Sequence, residues 1–212
     1  LEKQVEPLVA RAEGFDSSPW YLRGMSDAEL WDKIRSKSIQ LGKITKSTQG
    51  VKTGNNSAFT VSEETVAEYN LEDEALIPVA EARNVHRYRI EAKEFVIYTD
   101  GSRDIEGVPA IKSYLSRFRG QLSNRAECNR GLYPWWRLQR PRDRSMMLHG
   151  SRILVPLYAT HNQFFYSKKP VVGMTDIYLI KVTRECYNEA FLSAVLNSHL
   201  LNRYHAAFCK VK

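Results

Sequence analysis

The stretch YPWWRLQRPR, residues 133–142, has neither the two-residue period of a β-strand nor the 3.6-residue period of a helix. It is the centre of a longer aperiodic segment, residues 124–150, that contains six arginines. Such a length without a regular period, inside an otherwise patterned chain, is typical of a functional loop. We therefore predict a long functional loop or an irregular hairpin at residues 124–150.

Helices and strands are predicted on both sides of this loop. Upstream, Pro109 suits the first turn of a helix whose apolar positions run at helical spacing to Leu122. Downstream, strand patterns occupy residues 151–156, 162–167 and 175–182, and a closing helix is predicted at residues 189–208.

The first half of the chain alternates short elements without strict β-α order. It predicts a capping-box helix at 27–37, a strand beginning near residue 41, a short helix capped by Ser62, a buried segment at 75–79 and a strand at 94–99. Strands and helices mixed in this way favour an α+β domain. We predict a mixed, largely antiparallel twisted sheet with flanking helices.

Length and composition exclude several classes of protein. The chain has 212 residues, 43% hydrophobic and 26% charged, which is ordinary for a soluble globular domain. No apolar run approaches the roughly 18 residues that a membrane span needs. The start has no signal-peptide core and no initiator Met, so we expect an excised piece of a longer chain. Its three widely spaced cysteines predict free thiols in a reducing cytosol.

The net charge of +7 is concentrated in one segment. Residues 111–144 carry nine bases, eight of them arginine, against two acids, while the bases and acids of the remaining sequence cancel. Aromatic side chains are interleaved with these bases, and arginines among aromatics can grip and stack on a polyanion. The alternative is a solvated basic face whose aromatic residues belong to the core.

A second candidate segment is QGVKTGNNSAF, residues 49–59. Gly54 and Asn55 tolerate positive φ, so the sequence predicts a sharp hairpin there. Lys52, Thr53, Asn55 and Asn56 would place ammonium, hydroxyl and amide groups at its tip, and such groups read adenine edges or phosphates. Whether these residues only build the turn or also bind a ligand stays open.

The sequence lacks the motifs of common catalytic sites. It has no glycine-rich nucleotide loop, no nucleophile elbow, no H-E-x-x-H and no paired-cysteine set, and its five histidines are scattered. One permissive pattern remains, in which Asp73 and Glu91 would hold Mg²⁺ and Lys93 would position a water, as in metal-dependent nucleases. Because E-x-K is common in charged proteins, these side chains are equally compatible with a solvated surface.

Several segments, taken in order, resemble one known family. They are the T-G-x-N-x-A-F turn within residues 49–59, the pair Arg87-Tyr88 before the strand at 94–99, the helix from Pro109 with its basic end, W-W-x-L-Q-x-P-R at 135–142, and the late L-N-S at 196–198. Together they are similar to the C-terminal specificity domain of TaqI-type adenine DNA methyltransferases, which combined restriction–modification enzymes share. The resemblance covers roughly residues 41 to 204 and implies that the predicted α+β fold is of the target-recognition-domain type.

This resemblance implies sequence-specific recognition of double-stranded DNA by a domain without its catalytic half. Family members place N-P-P-Y beside a cofactor pocket to hold a flipped adenine, and neither N-P-P-Y nor D-P-P-Y occurs here. The chain itself is then expected to be non-catalytic and without a cofactor. The parent would supply an N-terminal methyltransferase domain, S-adenosylmethionine and a possible nuclease, in the cytoplasm. Residues 1–25 would be a connector, and residues 26–212 the recognition domain.

The resemblance and the charge pattern together nominate a set of DNA-contacting residues. They are Lys52, Thr53, Asn55, Asn56, Arg125, Trp135, Trp136, Arg137, Arg140, Arg142 and Arg144. We expect some of the arginines to bind phosphate and one or two to fork onto guanine. One of the adjacent tryptophans is expected to anchor the loop in the core. Two alternatives remain: a Mg²⁺-dependent nuclease, and a protein-interaction domain whose basic loop meets an acidic partner.

Overall fold

The computed structural model describes residues 25–102 and 104–208, so the predicted connector lies outside the described residues except for its last position. The helices are α1 (Met25–Lys37), α2 (Asn56–Phe59), α3 (Glu63–Tyr69), α4 (Pro109–Ser116), α5 (Arg119–Ser123), α6 (Ala126–Asn129), α7 (Arg144–Leu148), α8 (Glu189–Leu196) and α9 (His199–Phe208). The strands are β1 (Thr45–Gln49), β2 (Thr60–Ser62), β3 (Leu76–Ala80), β4 (Glu94–Ile97), β5 (Arg152–Pro156), β6 (Phe165–Ser167), β7 (Val172–Gly173) and β8 (Ile177–Val182).

These strands form two four-stranded sheets. The first has the order β1-β8-β5-β6 and is antiparallel throughout, with Ile153 opposite Ile180 in the central pair, β5 and β8. The second has the order β2-β4-β3-β7, and its last pair is parallel, with Val79 opposite Val172. The chain alternates between the sheets, so β7 belongs to one and β8, four residues later, to the other. The fold therefore depends on long-range pairing.

One hydrophobic core joins the two sheets. It includes Ile97 and Val172 from the second sheet and Leu154 and Leu179 from the first, all fully buried. The stretch from β7 to β8 passes over Gly50 so closely that a Cβ there would lie 2.1 Å from the carbonyl oxygen of Gly173. Glycine at position 50 is thus required by the crossing of the two chain segments.

The α+β class and its largely antiparallel pairing are confirmed, with two sheets where the sequence predicted one. The closing helix is also divided, because Asn197 ends α8 and bonds elsewhere. Its side-chain amide donates to the carbonyl oxygens of Arg87 and Phe164 and accepts from the N–H of Phe164. The late L-N-S motif therefore fastens α8 to the loop before β6.

Two further predictions needed correction. The predicted strand at 162–167 begins only at Phe165, because the N–H groups of Asn162 and Phe164 bond to the side chains of Asn202 and Asn197 instead of a neighbouring strand. The helix from Pro109 is broken between α4 and α5, where the N–H of Phe118 bonds to the carbonyl three residues back.

The predicted hairpin at residues 49–59 is wrong. Strand β1 pairs with β8, and β2 pairs with β4, so the strands on either side of this turn lie in different sheets. Gly54 does adopt a positive φ of 78°, and the side chain of Asn55 caps α2 by accepting from the N–H of Ala58. The turn residues were recognised correctly, but they start a helix that leads from one sheet to the other.

Candidate nucleic-acid interface

Arg125 ties together the two segments that the sequence nominated. It is only 9% exposed. Its guanidinium donates to the carbonyl oxygens of Leu122 at 2.9 Å, Thr53 at 2.9 Å and Trp135 at 2.5 Å. Burial lowers the pKa of Arg125, and the three carbonyls supply the acceptors that its lost hydration would have given. The turn at 52–56 and the aromatic loop at 133–142 are therefore held in fixed relation.

Backbone pairing reinforces the same junction. Lys52 and Arg140 form an isolated antiparallel bridge, with N–H to O distances of 3.0 and 2.8 Å, and the N–H of Gln139 donates to the carbonyl of Thr53. Gly54 lies against this bridge, since a Cβ there would be 2.9 Å from Cδ of Arg125. A side chain at position 54 would therefore push the two segments apart.

The polar residues of the 52–56 turn have different roles. Thr53 is buried and donates from its hydroxyl to Oδ1 of Asn56 at 2.6 Å. Asn55 donates from Nδ2 to Oε1 of Gln121 at 2.7 Å, which joins the turn to α5. Lys52 and Asn56 are exposed. Thr53 thus shapes the turn, while Lys52, Asn55 and Asn56 present groups to solvent at its surface.

Glu127, in α6, gathers three donors from the aromatic loop. It accepts from Nε2 of Gln139 at 2.7 Å, from the hydroxyl of Tyr133 at 3.2 Å and from Arg140 at 3.1 Å. The pKa of this carboxyl is lowered first by the hydrogen bond from Gln139, then by the hydrogen bond from Tyr133 and by the positive charge of Arg140. Arg140 keeps 55% of its side chain exposed, so its ion pair with Glu127 lies at the surface.

Arg137 and Arg144 both contact Asp100, at the end of β4. Arg137 donates from Nε to the backbone carbonyl of Asp100 at 2.8 Å, and Arg144 donates to its carboxylate at 2.8 Å. The carboxylate is 11% exposed, while the side chain of Arg144 is 37% exposed. Burial opposes ionisation of Asp100, but hydrogen bonds from Ser102 and Arg144 outweigh it and lower its pKa. These arginines are therefore partly used within the fold.

Arg142 adopts an unusual backbone conformation, with φ of +66°. Its side chain donates to the carbonyl of Gly50 and to Oε1 of Gln49, each at 3.0 Å. Burial, followed by the neighbouring charge of Arg140, lowers the pKa of Arg142. Non-glycine residues are uncommon in the left-handed region, so this conformation calls for a structural reason. Here it lets the loop turn after Pro141, so that the side chain of Arg142 binds the end of β1.

The adjacent tryptophans are both partly buried against the core. The carbonyl of Trp136 accepts from the hydroxyl of Thr99 at 2.7 Å, and the guanidinium of Arg119 lies 5.3 Å from the ring centre of Trp135. Both rings therefore pack, and neither stands clear of the surface as a free stacking platform.

Two cations that sequence reasoning missed hold α7 in place. Arg152 is fully buried and donates to the carbonyl oxygens of Met147 and Gly150. Lys181 donates to the carbonyls of Ser145 and His149. Burial lowers the pKa of both groups. Positive groups at the carboxyl end of a helix satisfy its last carbonyls and oppose its dipole. Their position in strands gave no signal of this in the sequence.

The described residues thus bring together one surface, which we name the composite face: Lys52, Asn55, Gln121, Gln139 and Arg140. An open groove of about 740 Å³ borders it, and the lining of this groove also includes Glu81 and Asp176. Gln121 and Gln139 were not nominated from sequence, because neutral amides in a basic segment carry no distinguishing pattern. Arg137 and Arg144 lie apart, around Asp100.

The acidic pattern considered for a nuclease does not assemble. Glu91 is bound to Arg89 at 2.9 Å and lies 3.8 Å from His86. Glu91 and Lys93 border one pocket, and its lining does not include Asp73. Across residues 25–102 and 104–208, no three His, Cys, Asp or Glu side chains lie together as metal ligands would. In the same described ranges, no helix has the length and apolarity to cross a bilayer.

This chain is similar to one known protein family and to a solved structure. The model of the TaqI-like C-terminal specificity domain matches residues 77–212. Among solved structures, the chain is similar to the Type IIL restriction-modification enzyme MmeI, determined in complex with DNA, with a TM-score of 0.55 at 10% identity. The match covers 76% of this chain and 22% of MmeI. No curated protein matches the sequence. The chain belongs to the family of TaqI-like C-terminal specificity domains.

Proposed function

We propose that the chain is the sequence-specific, double-stranded DNA recognition domain of a restriction–modification enzyme that methylates adenine at N6. The observation that carries the proposal is the composite face, where two cations stand beside three amide side chains. Cations neutralise phosphates, and amides and guanidinium groups read base edges, so both requirements of sequence-specific binding meet on one surface.

The way this face is built also supports the proposal. Arg125 and the Lys52–Arg140 bridge fix the two contributing segments against each other. A face that discriminates between base pairs must hold its donors and acceptors in place, because each misplaced hydrogen bond lowers discrimination. A solvated basic surface has no need of such internal ties.

The remaining functions belong, in this proposal, to the rest of the parent polypeptide. An N-terminal methyltransferase domain would bind S-adenosylmethionine and transfer the methyl group, and a nuclease is a further candidate part of the parent. DNA would lie between the two domains, in the cytoplasm. The chain spans 22% of the length of MmeI, which leaves room in such enzymes for these parts.

The test is selection from a randomised duplex pool by the purified chain, at low and at moderate salt, with sequencing of the retained DNA. The proposal predicts enrichment of a short motif and binding that weakens steeply with salt. Absence of retained DNA at low salt would contradict it. A protein-interaction domain would show no motif, and a nuclease would cleave the pool when Mg²⁺ is added.

Arg140→Ala provides the matched variant. If Arg140 reads a base, the change should weaken binding of the enriched duplex by about 1–3 kcal/mol and relax preference at one position. Arg89→Ala is the control, because Arg89 is 71% exposed, and neither Arg89 nor its partner Glu91 belongs to the composite face or lines the groove that borders it. Unchanged affinity and preference in Arg140→Ala would remove Arg140 from the site.

A further inference from the structure

Glu127 is a carboxylate within the most basic segment of the chain. Residues 111–144 hold nine bases and two acids, and the other acid, Asp143, caps α7 by accepting from the N–H of Met146. A negative charge beside a surface that binds a polyanion opposes binding by Coulomb repulsion. Its presence there needs a role that outweighs this repulsion.

The contacts of Glu127 indicate that role. Its carboxylate accepts from Gln139 at 2.7 Å and from Arg140 at 3.1 Å, so it holds two neighbouring side chains of the composite face at once. Tyr133 donates to it as well, at 3.2 Å, and connects the cluster to the aromatic loop. Oε2 accepts from Gln139 and Tyr133, and Oε1 accepts from Arg140, so rotation of Gln139 and Arg140 is restricted.

The hydrogen-bonding groups of Arg140 and Gln139 that Glu127 does not occupy match purine edges. A guanidinium has five N–H groups, and the bond to Glu127 uses one terminal nitrogen of Arg140. The rest can fork onto O6 and N7 of guanine. A side-chain amide has two N–H groups and one carbonyl, and Glu127 takes one N–H of Gln139. The other N–H and the carbonyl form the pair that matches N7 and N6 of adenine.

We propose that Glu127 is the positioning residue of the recognition surface, and that it holds Arg140 to read a guanine and Gln139 to read an adenine in the major groove. The inference rests on the proposed function, since it names the base edges that the same face takes. Glu127 itself does not contact DNA. By restricting Arg140, it prevents this side chain from binding the nearest phosphate. Affinity for DNA of any sequence is lowered, and discrimination between sequences is raised.

The experiment repeats the duplex selection with Glu127→Gln, Arg140→Ala, Gln139→Ala and the double variant Glu127→Gln/Arg140→Ala. Glu106→Gln is the matched control, because it removes the same charge from an exposed ion pair with Lys112, outside the composite face. Thermal unfolding of each variant reports any loss of the fold. Binding is then measured on the enriched duplex, on a scrambled duplex, and on one carrying 7-deazaguanine, which lacks the N7 acceptor.

Four results are expected. Glu127→Gln should bind the scrambled duplex a few-fold more tightly, with a salt slope steeper by about one, because Arg140 becomes free to bind phosphate. Its preference should fall by about tenfold at the positions that Arg140→Ala and Gln139→Ala also affect, a G·C and an A·T pair. At the G·C position, the double variant should discriminate no worse than Arg140→Ala. 7-Deazaguanine at the G·C position should weaken DNA binding by the wild type but not by Arg140→Ala.

Other results would overturn the inference and separate its failure from that of the proposed function. If the wild type enriches a motif and Glu127→Gln enriches the same motif with equal discrimination, Glu127 has no positioning role, and the proposed function stands. A uniform loss of affinity for all duplexes, together with a lower melting temperature, would assign Glu127 a purely structural role. If the wild type enriches no motif, this chain does not read sequence, and both proposals fail.

Discussion

Replacement of Arg125 by Met separates the structural reading of this residue from the DNA contact that its sequence context predicted. Met keeps most of the apolar stem but removes the charge and all the donors. Three carbonyl oxygens then lose a charged partner inside the protein. Hydrogen bonds to charged groups contribute about 1.5–3 kcal/mol each.

The sum of three such bonds is an upper bound, since burying a guanidinium costs several kcal/mol that the variant recovers. We expect a net loss of about 3 kcal/mol in the free energy of unfolding. For a protein of this size, that corresponds to a fall in melting temperature of about 6–12 °C. Arg125→Lys keeps the charge but cannot reach all three carbonyls, so about 2 kcal/mol should still be lost.

The assay is urea unfolding, followed by circular dichroism, with DNA binding measured on the same samples. Arg130→Met is the matched control, because Arg130 is exposed in the same basic segment and bonds only locally, to the carbonyl of Ala126. It should change stability by less than about 0.5 kcal/mol. A loss of under about 1 kcal/mol in Arg125→Met would be roughly a third of the predicted net value. If that variant also no longer bound DNA, Arg125 would be a DNA contact and not a structural residue.

Three further changes test other parts of the fold. Gly50→Ala should destabilise the protein by more than about 2 kcal/mol in thermal unfolding, because the new Cβ would lie 2.1 Å from the carbonyl oxygen of Gly173. Asp100 has a lowered pKa because hydrogen bonds, led by that from Ser102, outweigh the effect of its burial. Its contribution is therefore present above its unfolded pKa, near 3.8, and is lost as the pH falls through the folded value, so Asp100→Asn should flatten this part of an acid titration of stability. Asn197→Ala removes three hydrogen bonds to backbone groups and should lose about 3 kcal/mol in urea unfolding.

Local patterns predicted the elements whose signal lies in their own residues. The strand β4 and the helix α4 were expected from apolar spacing and from Pro109, and both are present. The two-residue strand β7 was not expected, since its parallel partner β3 lies more than ninety residues earlier in the chain. The long closing helix was predicted as one because nothing in its sequence reveals that Asn197 bonds to Arg87 and Phe164.

The candidate site divides in the same way. The concentration of arginines in residues 111–144 is visible in the sequence, but the acceptor of each guanidinium is decided by tertiary structure. Arg125 lies among carbonyls, while Arg140 is mostly exposed, although both belong to the same basic segment. Gln121 and Glu127 carry no motif of their own. The place of Gln121 in the composite face, and that of Glu127 beside it, appear only in the folded structure, where Gln121 bonds to Asn55 and Glu127 to Arg140.

The proposed function requires the composite face to distinguish one DNA sequence from another. The measurement is the ratio of dissociation constants of the purified chain for its enriched duplex and for a scrambled duplex of the same composition, at one salt concentration. We predict a ratio of at least about tenfold, the discrimination expected from reading a single base pair, and a smaller ratio for Arg140→Ala, which loses one of the base contacts. Equal dissociation constants for the two duplexes in the wild-type chain would contradict the account.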